Sequence, residues 1–300
     1  MKRKVLFIGC VDFSRALLEE VAACGLVSLC GVVTKRCSPF NSDFCDLSGI
    51  AKQKNIPVHY VDEGGTSCLL PFIDKTKPDV IYCFGWSQLL ERKVLSAVPL
   101  GCIGYHPALL PYNRGRHPII WALVLGLKRT GSSFFKMDEG ADTGDILSQR
   151  VVPISEDDDA TSLYEHLKTV AKEQVQDINE MVSKGLLVVN SQKPGFGNTW
   201  RKRSKNDGRI DFRMSSMNIR NLVRALRPPY PGAFVLYRGA EYVIGKVESS
   251  IEINEEAQFA EPGKILALKD CKVYTKTGDG VLALIEHELP KDLQEGEYFL

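Results

Sequence analysis

Two short segments of the chain combine residue types that can move protons. The run Gly104–Gly115 holds one histidine, His106, which ends an apolar stretch and directly precedes a proline. Asp142 lies further along the chain, in the polar, glycine-bearing segment 142–145. An imidazole that titrates near neutrality and a carboxylate that orients it are the minimum set of groups for proton transfer around a carbonyl.

The elements around these residues alternate between strands and helices. Continuous apolar runs such as Val5–Ile8 are typical of strands that are covered on both faces. The βαβα rhythm predicts an α/β fold with a doubly wound, mostly parallel sheet. A helix is expected over residues 43–53, and a strand over residues 101–106. Ligands bind outside the carboxyl ends of strands in such sheets, and His106 is expected at one of these ends.

The pattern changes after a long amphipathic helix, which is expected over Thr161–Lys184. From there the second half of the chain becomes strand-like, with hairpin signals at Arg238-Gly239 and at Thr277–Gly280. We therefore expect one domain over residues 1–190 and a smaller, mainly β domain over residues 191–300.

The composition of the chain limits the kinds of partner that we expect it to bind. Basic and acidic residues number 38 and 37, which gives a net charge of +1 and no whole-chain electrostatic footprint for nucleic acid. The basic run Arg201–Lys205 is short, and we expect it to be solvated surface. The nine cysteines include no Cys-x-x-Cys pair, and no spacing of histidine and cysteine suggests a metal. No apolar run reaches the length of a membrane span, so we expect a cytoplasmic protein with reduced thiols.

Two segments, Gly101–Gly115 and Met137–Leu147, resemble the signature segments of the folate-dependent formyltransferases. That family includes methionyl-tRNA formyltransferase, glycinamide ribonucleotide transformylase and the nucleotide-sugar N-formyltransferases. The resemblance continues through Gly9–Leu18, Trp200–Asp211, Asn218–Phe234 and Pro262–Val281, so it covers nearly the whole chain. It implies that residues 1–190 form the catalytic domain and that the C-terminal domain is OB-like. It implies transfer of the formyl group of N10-formyltetrahydrofolate to an amine, without a metal.

The same resemblance assigns the catalytic positions. His106 and Asp142 match the family's histidine and aspartate, but the family's asparagine, two positions before the histidine, is Gly104 here. Glycine has no side chain to donate to a developing oxyanion, and loss of one such donor typically costs about 10²–10³ in rate. Asn113 is the nearest amide and is the predicted replacement; a turn residue is the alternative.

The resemblance also assigns two sides of a pterin pocket, one to residues 82–90 and one to residues 138–142. The predicted folate contacts are Phe84, Trp86, Leu90, Asp138, Gly140 and Asp142. A flat heterocycle needs apolar and aromatic walls, which the first segment can provide. For Phe84, a place in the core is an equal alternative.

Three further residues are predicted to contact the acceptor. Arg114 and Arg116 flank Gly115 and can each bind a phosphate or a sugar, since guanidinium geometry suits both. Tyr230 lies between prolines and can stack on a base. The alternatives are a solvated loop for the two arginines and a packing role for Tyr230.

Three functions remain open on the sequence. The first is an N-formyltransferase that acts on a nucleotide-linked amino-dideoxy sugar, because the charge is near neutral and Arg116-His117 lies beside the signature loop. The segment Asn113–Leu123 also resembles members of bacterial surface-sugar pathways, including the pseudaminic-acid-type branch. The second is a methionyl-tRNA formyltransferase, and the third a non-catalytic folate- or nucleotide-binding protein. We expect a homodimer from the resemblance, and no nucleic-acid or membrane partner.

Overall fold

The computed structural model describes residues 1–39, 41–61, 66–193, 195–250 and 255–299. The chain divides into two compact units. The first comprises Met1–Pro118, Arg129–Pro153 and Tyr164–Arg201, and the second comprises Ile119–Lys128, Ile154–Leu163 and Lys202–Leu300. The units interleave along the chain, and the predicted division at residue 190 stays a prediction. Residues 194, 251–254 and 300 of the predicted C-terminal domain lie outside the described residues.

The helices and strands follow one another in a regular alternation at first. The helices are α1 (Asp12–Ala23), α2 (Ser48–Gln53), α3 (Leu70–Thr76), α4 (Arg92–Leu95), α5 (Pro118–Val124), α6 (Ala160–Lys184), α7 (Ser216–Ala225) and α8 (Glu255–Phe259). The strands are β1 (Arg3–Ile8), β2 (Val27–Thr34), β3 (Val58–Tyr60), β4 (Val80–Cys83), β5 (Cys102–His106), β6 (Arg114–Gly115), β7 (Arg129–Lys136), β8 (Ile146–Pro153), β9 (Thr199–Trp200), β10 (Ala233–Tyr237), β11 (Ala240–Ser249), β12 (Ile265–Lys269), β13 (Lys272–Lys276) and β14 (Val281–His287). Across the described ranges, no helix combines the length and the apolar character that a membrane crossing needs.

The first unit is built on a seven-stranded sheet in the order β3-β2-β1-β4-β5-β7-β8. Neighbours from β3 to β5 pair in parallel, and β7 and β8 add two antiparallel pairings. This order confirms the predicted α/β, mostly parallel sheet. Val5–Ile8 is fully buried, as expected for a central strand covered on both faces. The strand order reverses direction between β1 and β4, which is where ligands bind in such sheets.

The second unit contains a separate five-stranded antiparallel sheet in the order β10-β11-β14-β13-β12. Arg238-Gly239 joins β10 to β11, and Thr277–Gly280 joins β13 to β14, so both predicted hairpins are confirmed. Helix α7 begins after Ser215, whose side chain accepts a hydrogen bond of 3.2 Å from the Asn218 N–H, as an N-cap does.

One expected helix is much shorter than its pattern suggests. The prediction over residues 43–53 was wrong at its start, because α2 begins only at Ser48. The backbone of residues 43–45 is bonded to the loop after β1: the Asp43 carbonyl accepts from the Asp12 N–H, and the Cys45 N–H donates to the Cys10 carbonyl, each at 2.9 Å. These long-range hydrogen bonds override local helix propensity.

Candidate active site

His106 lies at the carboxyl end of a central strand. It is the last residue of β5, which pairs in parallel with β4 and antiparallel with β7. The carboxyl ends of β1, β4 and β5 therefore face the same edge of the sheet. The residue is only 4% exposed, so its ring is largely shielded from bulk water. A proton on this ring is held by protein groups or by a ligand at the sheet edge.

Asp142 reaches the histidine from the loop between β7 and β8. Its Oδ2 lies 3.5 Å from His106 Nδ1 and accepts a hydrogen bond of 2.9 Å from the Gly115 N–H. The Asp142 backbone is left-handed, with φ at 59°, a conformation that residues other than glycine adopt infrequently. The two residues that the sequence singled out are thus brought together. The separation of 3.5 Å is long for a hydrogen bond, as is common before a ligand draws catalytic groups together.

Asn113 contacts the other ring nitrogen of the imidazole, Nε2, but it does so through its backbone. Its carbonyl oxygen lies 2.7 Å from His106 Nε2, and its N–H donates to Asn198 Oδ1 at 2.9 Å. Its φ of 63° is that of a turn residue. The role predicted for the Asn113 side-chain amide stays a prediction. The contact that the structure contains is made by the backbone.

The imidazole of His106 therefore has an acceptor on each side. A neutral ring donates to one acceptor and a protonated ring donates to both. Release of the Asn113 carbonyl frees Nε2 for a ligand, while Asp142 continues to orient Nδ1. This is the arrangement of a general acid–base whose partner nitrogen is fixed by a carboxylate.

Gly104 leaves no room for the asparagine that the family carries. A Cβ at this position would lie 2.9 Å from Met137 Cγ and 2.9 Å from Phe135 Cζ. Phe135 is itself 3% exposed and pairs with Gly104 across β5 and β7, so its ring has little freedom to move. The space of an asparagine side chain is thus filled by apolar groups, and any oxyanion donor must come from another position.

The two arginines beside Gly115 differ in their exposure and in their hydrogen-bond partners. Arg114 donates through Nη2 to Gln192 Oε1 at 2.6 Å and through Nε to the Asp142 carbonyl at 3.2 Å. Arg116 is exposed and donates through Nη1 to the Ser87 carbonyl at 2.9 Å. Much of the Arg114 guanidinium is thus bound within the protein, whereas Arg116 is exposed, and both predicted substrate contacts stay predictions.

The side chain of Phe84 takes the second of its two predicted positions, a place in the core. It is fully buried between the rings of Phe7, Tyr82 and Phe134, at centroid distances of 5.1–5.5 Å. Leu90 is likewise 4% exposed and belongs to the core. Both residues lie where packing of the sheet against its helices takes priority, so neither side chain offers surface to a ligand.

Trp86 fits the predicted wall better. It is partly buried against the same core cluster, and Lys35 Nζ lies 4.9 Å from the centroid of its ring. Its indole N–H is buried and has no hydrogen-bond partner within the described part of the chain. A buried donor without a partner is uncommon and needs an explanation.

The loop predicted to face Trp86 is held by hydrogen bonds between its own polar groups. Asp138 Oδ1 accepts from the Gly140 N–H at 3.0 Å and from Thr143 Oγ1 at 2.7 Å. Gly144 follows, where a Cβ would lie 1.7 Å from the Lys136 carbonyl oxygen, so only glycine fits. Asp138 and Gly140 are exposed in this loop, and their predicted folate contacts stay predictions.

Tyr230 belongs to the second unit. It lies in the turn after α7, and its N–H donates to the Arg227 carbonyl at 3.1 Å. Its predicted stacking on a base stays a prediction.

Other titratable groups at this edge of the sheet are held neutral. Burial raises the pKa of the Cys10 thiol to about 11. Burial also raises the pKa of Cys83, at the end of β4, and of Tyr105, next to His106. None of the three is poised to transfer a proton near neutral pH. The described residues also contain no group of three or more histidine, cysteine and acidic side chains that could hold a metal ion.

Two residues that support the site carry no signal in the sequence. Gln192 donates to the Asp142 and Gly144 carbonyls, and Asn198 holds the backbone of Asn113. Both lie in the polar segment after α6. They reach the site because β9 pairs in parallel with β6, with Thr199 opposite Arg114.

Two family models match the chain. Residues 5–178 match the model described as formyl transferase, and residues 202–300 match the model described as formyl transferase, C-terminal domain. Because the first match alone covers more than half of the chain, the chain belongs to the formyl transferase family. It is therefore an enzyme that transfers a one-carbon formyl group.

Individual relatives agree with this assignment. The chain is similar to the methionyl-tRNA formyltransferase of Caldanaerobacter subterraneus subsp. tengcongensis, with 31% identity over 288 residues that cover 94% of this chain and 91% of that protein. The structure of HypX from Aquifex aeolicus in complex with tetrahydrofolic acid matches with a TM-score of 0.67 and 20% identity, over 96% of this chain and 44% of that chain. This chain thus spans less than half of that HypX chain.

A third relative matches over nearly the whole of both chains. The structure of the N-formyltransferase from Helicobacter canadensis, in complex with folinic acid and dTDP-3-aminofucose, matches with a TM-score of 0.69 and 15% identity, over 94% of this chain and 99% of that chain. At such identities, the structural matches establish the shared fold.

Proposed function

We propose that the protein transfers the formyl group of N10-formyltetrahydrofolate to the amine of a nucleotide-linked amino sugar. The observation that carries the reaction is the buried His106, whose Nδ1 faces the Asp142 carboxylate at 3.5 Å. Folate as the donor is supported by membership of the family and by the folate-type ligands in the HypX and Helicobacter canadensis structures.

The residues at the sheet edge fit a folate. Trp86 offers a partly buried aromatic face and a buried N–H without a partner in the described residues, the kind of donor that a pterin oxygen or nitrogen satisfies. When bound there, N10-formyltetrahydrofolate supplies the formyl carbon. The exposed loop of Asp138 and Gly140 would hold the other side of the ring.

His106 and Asp142 would then manage the protons of the transfer. A bond forms between the acceptor nitrogen and the formyl carbon, and the bond from that carbon to N10 breaks. His106 stabilises the negative charge that develops on the formyl oxygen, and it returns to N10 the proton that the acceptor amine loses. Asp142 keeps the ring oriented and stabilises its protonated form.

The charge distribution supports a small acceptor. The net charge is +1, and part of the basic run Arg201–Lys205 is engaged with protein groups. Arg203 is 8% exposed and lies over the Trp121 ring at 4.9 Å, and Lys205 pairs with Glu241 at 2.5 Å. A tRNA-binding surface requires many lysines and arginines directed at phosphates. The amino-sugar nucleotide bound to the Helicobacter canadensis enzyme is an acceptor of the proposed kind.

A second candidate is formylation of methionyl-tRNA. It is favoured by the identity of 31% over 94% of the chain with the Caldanaerobacter methionyl-tRNA formyltransferase. Both candidates use the same donor and the same catalytic pair, and they differ only in the acceptor amine.

One assay separates the candidates. N10-formyltetrahydrofolate is offered with UDP-, dTDP- and GDP-linked amino-dideoxy sugars and, in parallel, with methionine-charged initiator tRNA. We expect folate release and a product heavier by one formyl group with one sugar nucleotide, and loss of both with His106→Ala. Product with charged tRNA alone would establish the second candidate. Folate binding without any product would contradict both and indicate a binding protein.

A further inference from the structure

The side-chain amide of Gln192 is bonded at both ends within the site. Its Nε2 donates to the Asp142 carbonyl at 3.0 Å and to the Gly144 carbonyl at 2.7 Å. Its Oε1 accepts from Arg114 Nη2 at 2.6 Å and from Arg114 Nε at 3.2 Å. Carbonyl oxygens can only accept and a guanidinium can only donate, so a single orientation of the amide satisfies every group.

The position of Gln192 is fixed independently of the catalytic loop. Two residues earlier, Asn190 exchanges a pair of backbone hydrogen bonds with Ile146, each of 2.8 Å. Ile146 is the first residue of β8, so the segment that carries Gln192 is attached to the rigid sheet. Gln192 thus connects the edge of the sheet to the loop that holds the carboxylate.

Asp142 needs such a connection. Its backbone is left-handed, a conformation that is uncommon outside glycine although aspartate tolerates it better than most residues, so contacts from neighbouring residues help to hold it. Within the loop, Asp138 bonds to Gly140 and Thr143 but not to Asp142 itself. The Asp142 carbonyl is held from outside the loop, by Gln192 at 3.0 Å and by Arg114 at 3.2 Å.

We propose that Gln192 is a positioning residue for formyl transfer, because it fixes the backbone of Asp142 and thereby the direction in which the carboxylate faces His106. This inference rests on the proposed function. Gln192 bonds to the backbone carbonyl of Asp142 and not to its carboxylate, so we expect its loss to affect the chemical step more than the binding of either substrate. A displacement of about 1 Å at a reacting group can cost about 100-fold in rate.

Three variants test this role. Gln192→Ala removes the whole amide. Gln192→Glu keeps the acceptor for Arg114 and the shape of the side chain, but it removes the donation to the two carbonyls. Gln176→Ala is the matched control, because Gln176 is exposed on α6 of the same unit and its amide donates to Glu20 at 2.6 Å.

We expect kcat to fall about 10- to 100-fold in Gln192→Ala and in Gln192→Glu, with KM for folate and acceptor within about twofold of wild type. Gln176→Ala should retain the wild-type kcat. Full activity in Gln192→Glu would contradict the proposed donation to the carbonyls. Equal losses in kcat and in folate affinity would show a general structural role and overturn the proposal.

A second readout does not depend on turnover. Correlation spectra of ¹⁵N-labelled histidine rings, with His106 assigned through His106→Asn, report hydrogen bonding at Nδ1 and Nε2. We expect the His106 signals to shift in both Gln192 variants and to stay in place in Gln176→Ala. Unchanged His106 signals in both would overturn the proposal. If the wild type formylates no acceptor, the proposed function fails, and these spectra still decide whether Gln192 positions Asp142.

Discussion

At the scale of single residues, the carboxylate of Asp142 faces two different donors. Gly115 donates to it from the backbone at 2.9 Å, and His106 Nδ1 lies at 3.5 Å. Its side chain is 19% exposed, so the negative charge is only partly solvated. The charge is therefore available to stabilise a protonated imidazole during transfer.

We expect Asp142→Asn to lower kcat by about 10²-fold or more, because an amide keeps the shape of the side chain but does not stabilise a charged His106. Thermal unfolding should stay close to that of wild type. Asp177→Asn is the control, since Asp177 is an exposed aspartate on α6 that pairs with Arg150 at 2.9 Å. Single-turnover formyl transfer is the measurement, and a loss of less than about threefold would contradict the role given to Asp142.

The tight packing around Gly104 leads to a second prediction. Gly104→Asn restores the family's residue, yet it forces atoms against Phe135 and Met137, each 2.9 Å from the position of a new Cβ. We expect a destabilisation of about 1–3 kcal/mol and no gain in kcat. Gly25→Asn is the matched control, because a Cβ at Gly25 has no atom within 4 Å. Equal urea midpoints for the two variants would contradict this expectation.

At the scale of elements, the end of β10 is fastened to the C-terminal segment by Glu297. The Tyr237 hydroxyl donates to its carboxylate, and Arg238 Nη2 donates at 2.7 Å. Because of these contacts, first that of Tyr237 and then that of Arg238, the pKa of Glu297 is lowered to about 2. The carboxylate is thus stabilised in its charged form at the edge of the second sheet.

The sign of the resulting pH dependence follows from this lowered pKa. The contribution of Glu297 to stability is complete above a pH of about 4.5, where the unfolded chain is also ionised, and it is lost as the pH falls towards 2. We expect Glu297→Gln to unfold at a lower temperature than wild type at pH 7 and to show a weaker loss between pH 4.5 and 2. Glu288→Gln, on an exposed glutamate, should follow wild type throughout. Parallel curves for Glu297→Gln and wild type would contradict this assignment.

The elements also show how much of the structure could be predicted from the sequence. Apolar runs such as Val5–Ile8 predicted the sheet, since a strand buried on both faces has few alternatives. The strand end at His106 and its pairing with Asp142 followed from motif and fold together. Helix α2 was overestimated because hydrogen bonds from Cys10 and Asp12 compete with the helix, and those partners are remote in sequence. Phe84 could not be assigned to the core or to a pocket wall from the sequence, since a residue next to a ligand site can still pack inward.

The contacts of Gln192 and Asn198 with the site could not be predicted from the sequence. Each acts through one amide at the end of an irregular segment, where neither periodicity nor spacing indicates which neighbour it meets. The short pairing of β6 with β9, with Gly115 opposite Trp200, brings that segment back to the loop after His106.

At the scale of the whole molecule, the net charge of the chain bears on the choice between a nucleotide-sugar acceptor and a tRNA acceptor. The chain carries a net charge of +1, and two of its basic side chains near residue 201 are held by Trp121 and Glu241. A tRNA acceptor depends on the release of counterions from many phosphates, whereas a nucleotide sugar carries one diphosphate.

We therefore expect kcat/KM for the sugar nucleotide to fall less than about tenfold between about 50 and 200 mM salt. A protein that makes about 6–10 phosphate contacts loses about 10³–10⁵ in affinity over the same range. Steady-state kinetics at several salt concentrations measure the slope. The Arg116→Ala variant should raise KM for the sugar nucleotide and flatten the slope further, because Arg116 is the exposed cation next to Ser87. A steep slope for the sugar nucleotide would contradict the proposed acceptor.

The two-residue pairing of β6 with β9 limits how the chain can be recombined. It joins residues 114–115 to residues 199–200, and Gln192 and Asn198 lie on the same returning segment. A chimera of two relatives with its junction at residue 190 would take the catalytic loops from one parent and their supports from the other. A junction after residue 201 keeps them together. Shuffling between family members should therefore take the catalytic loops and residues 190–201 from the same parent.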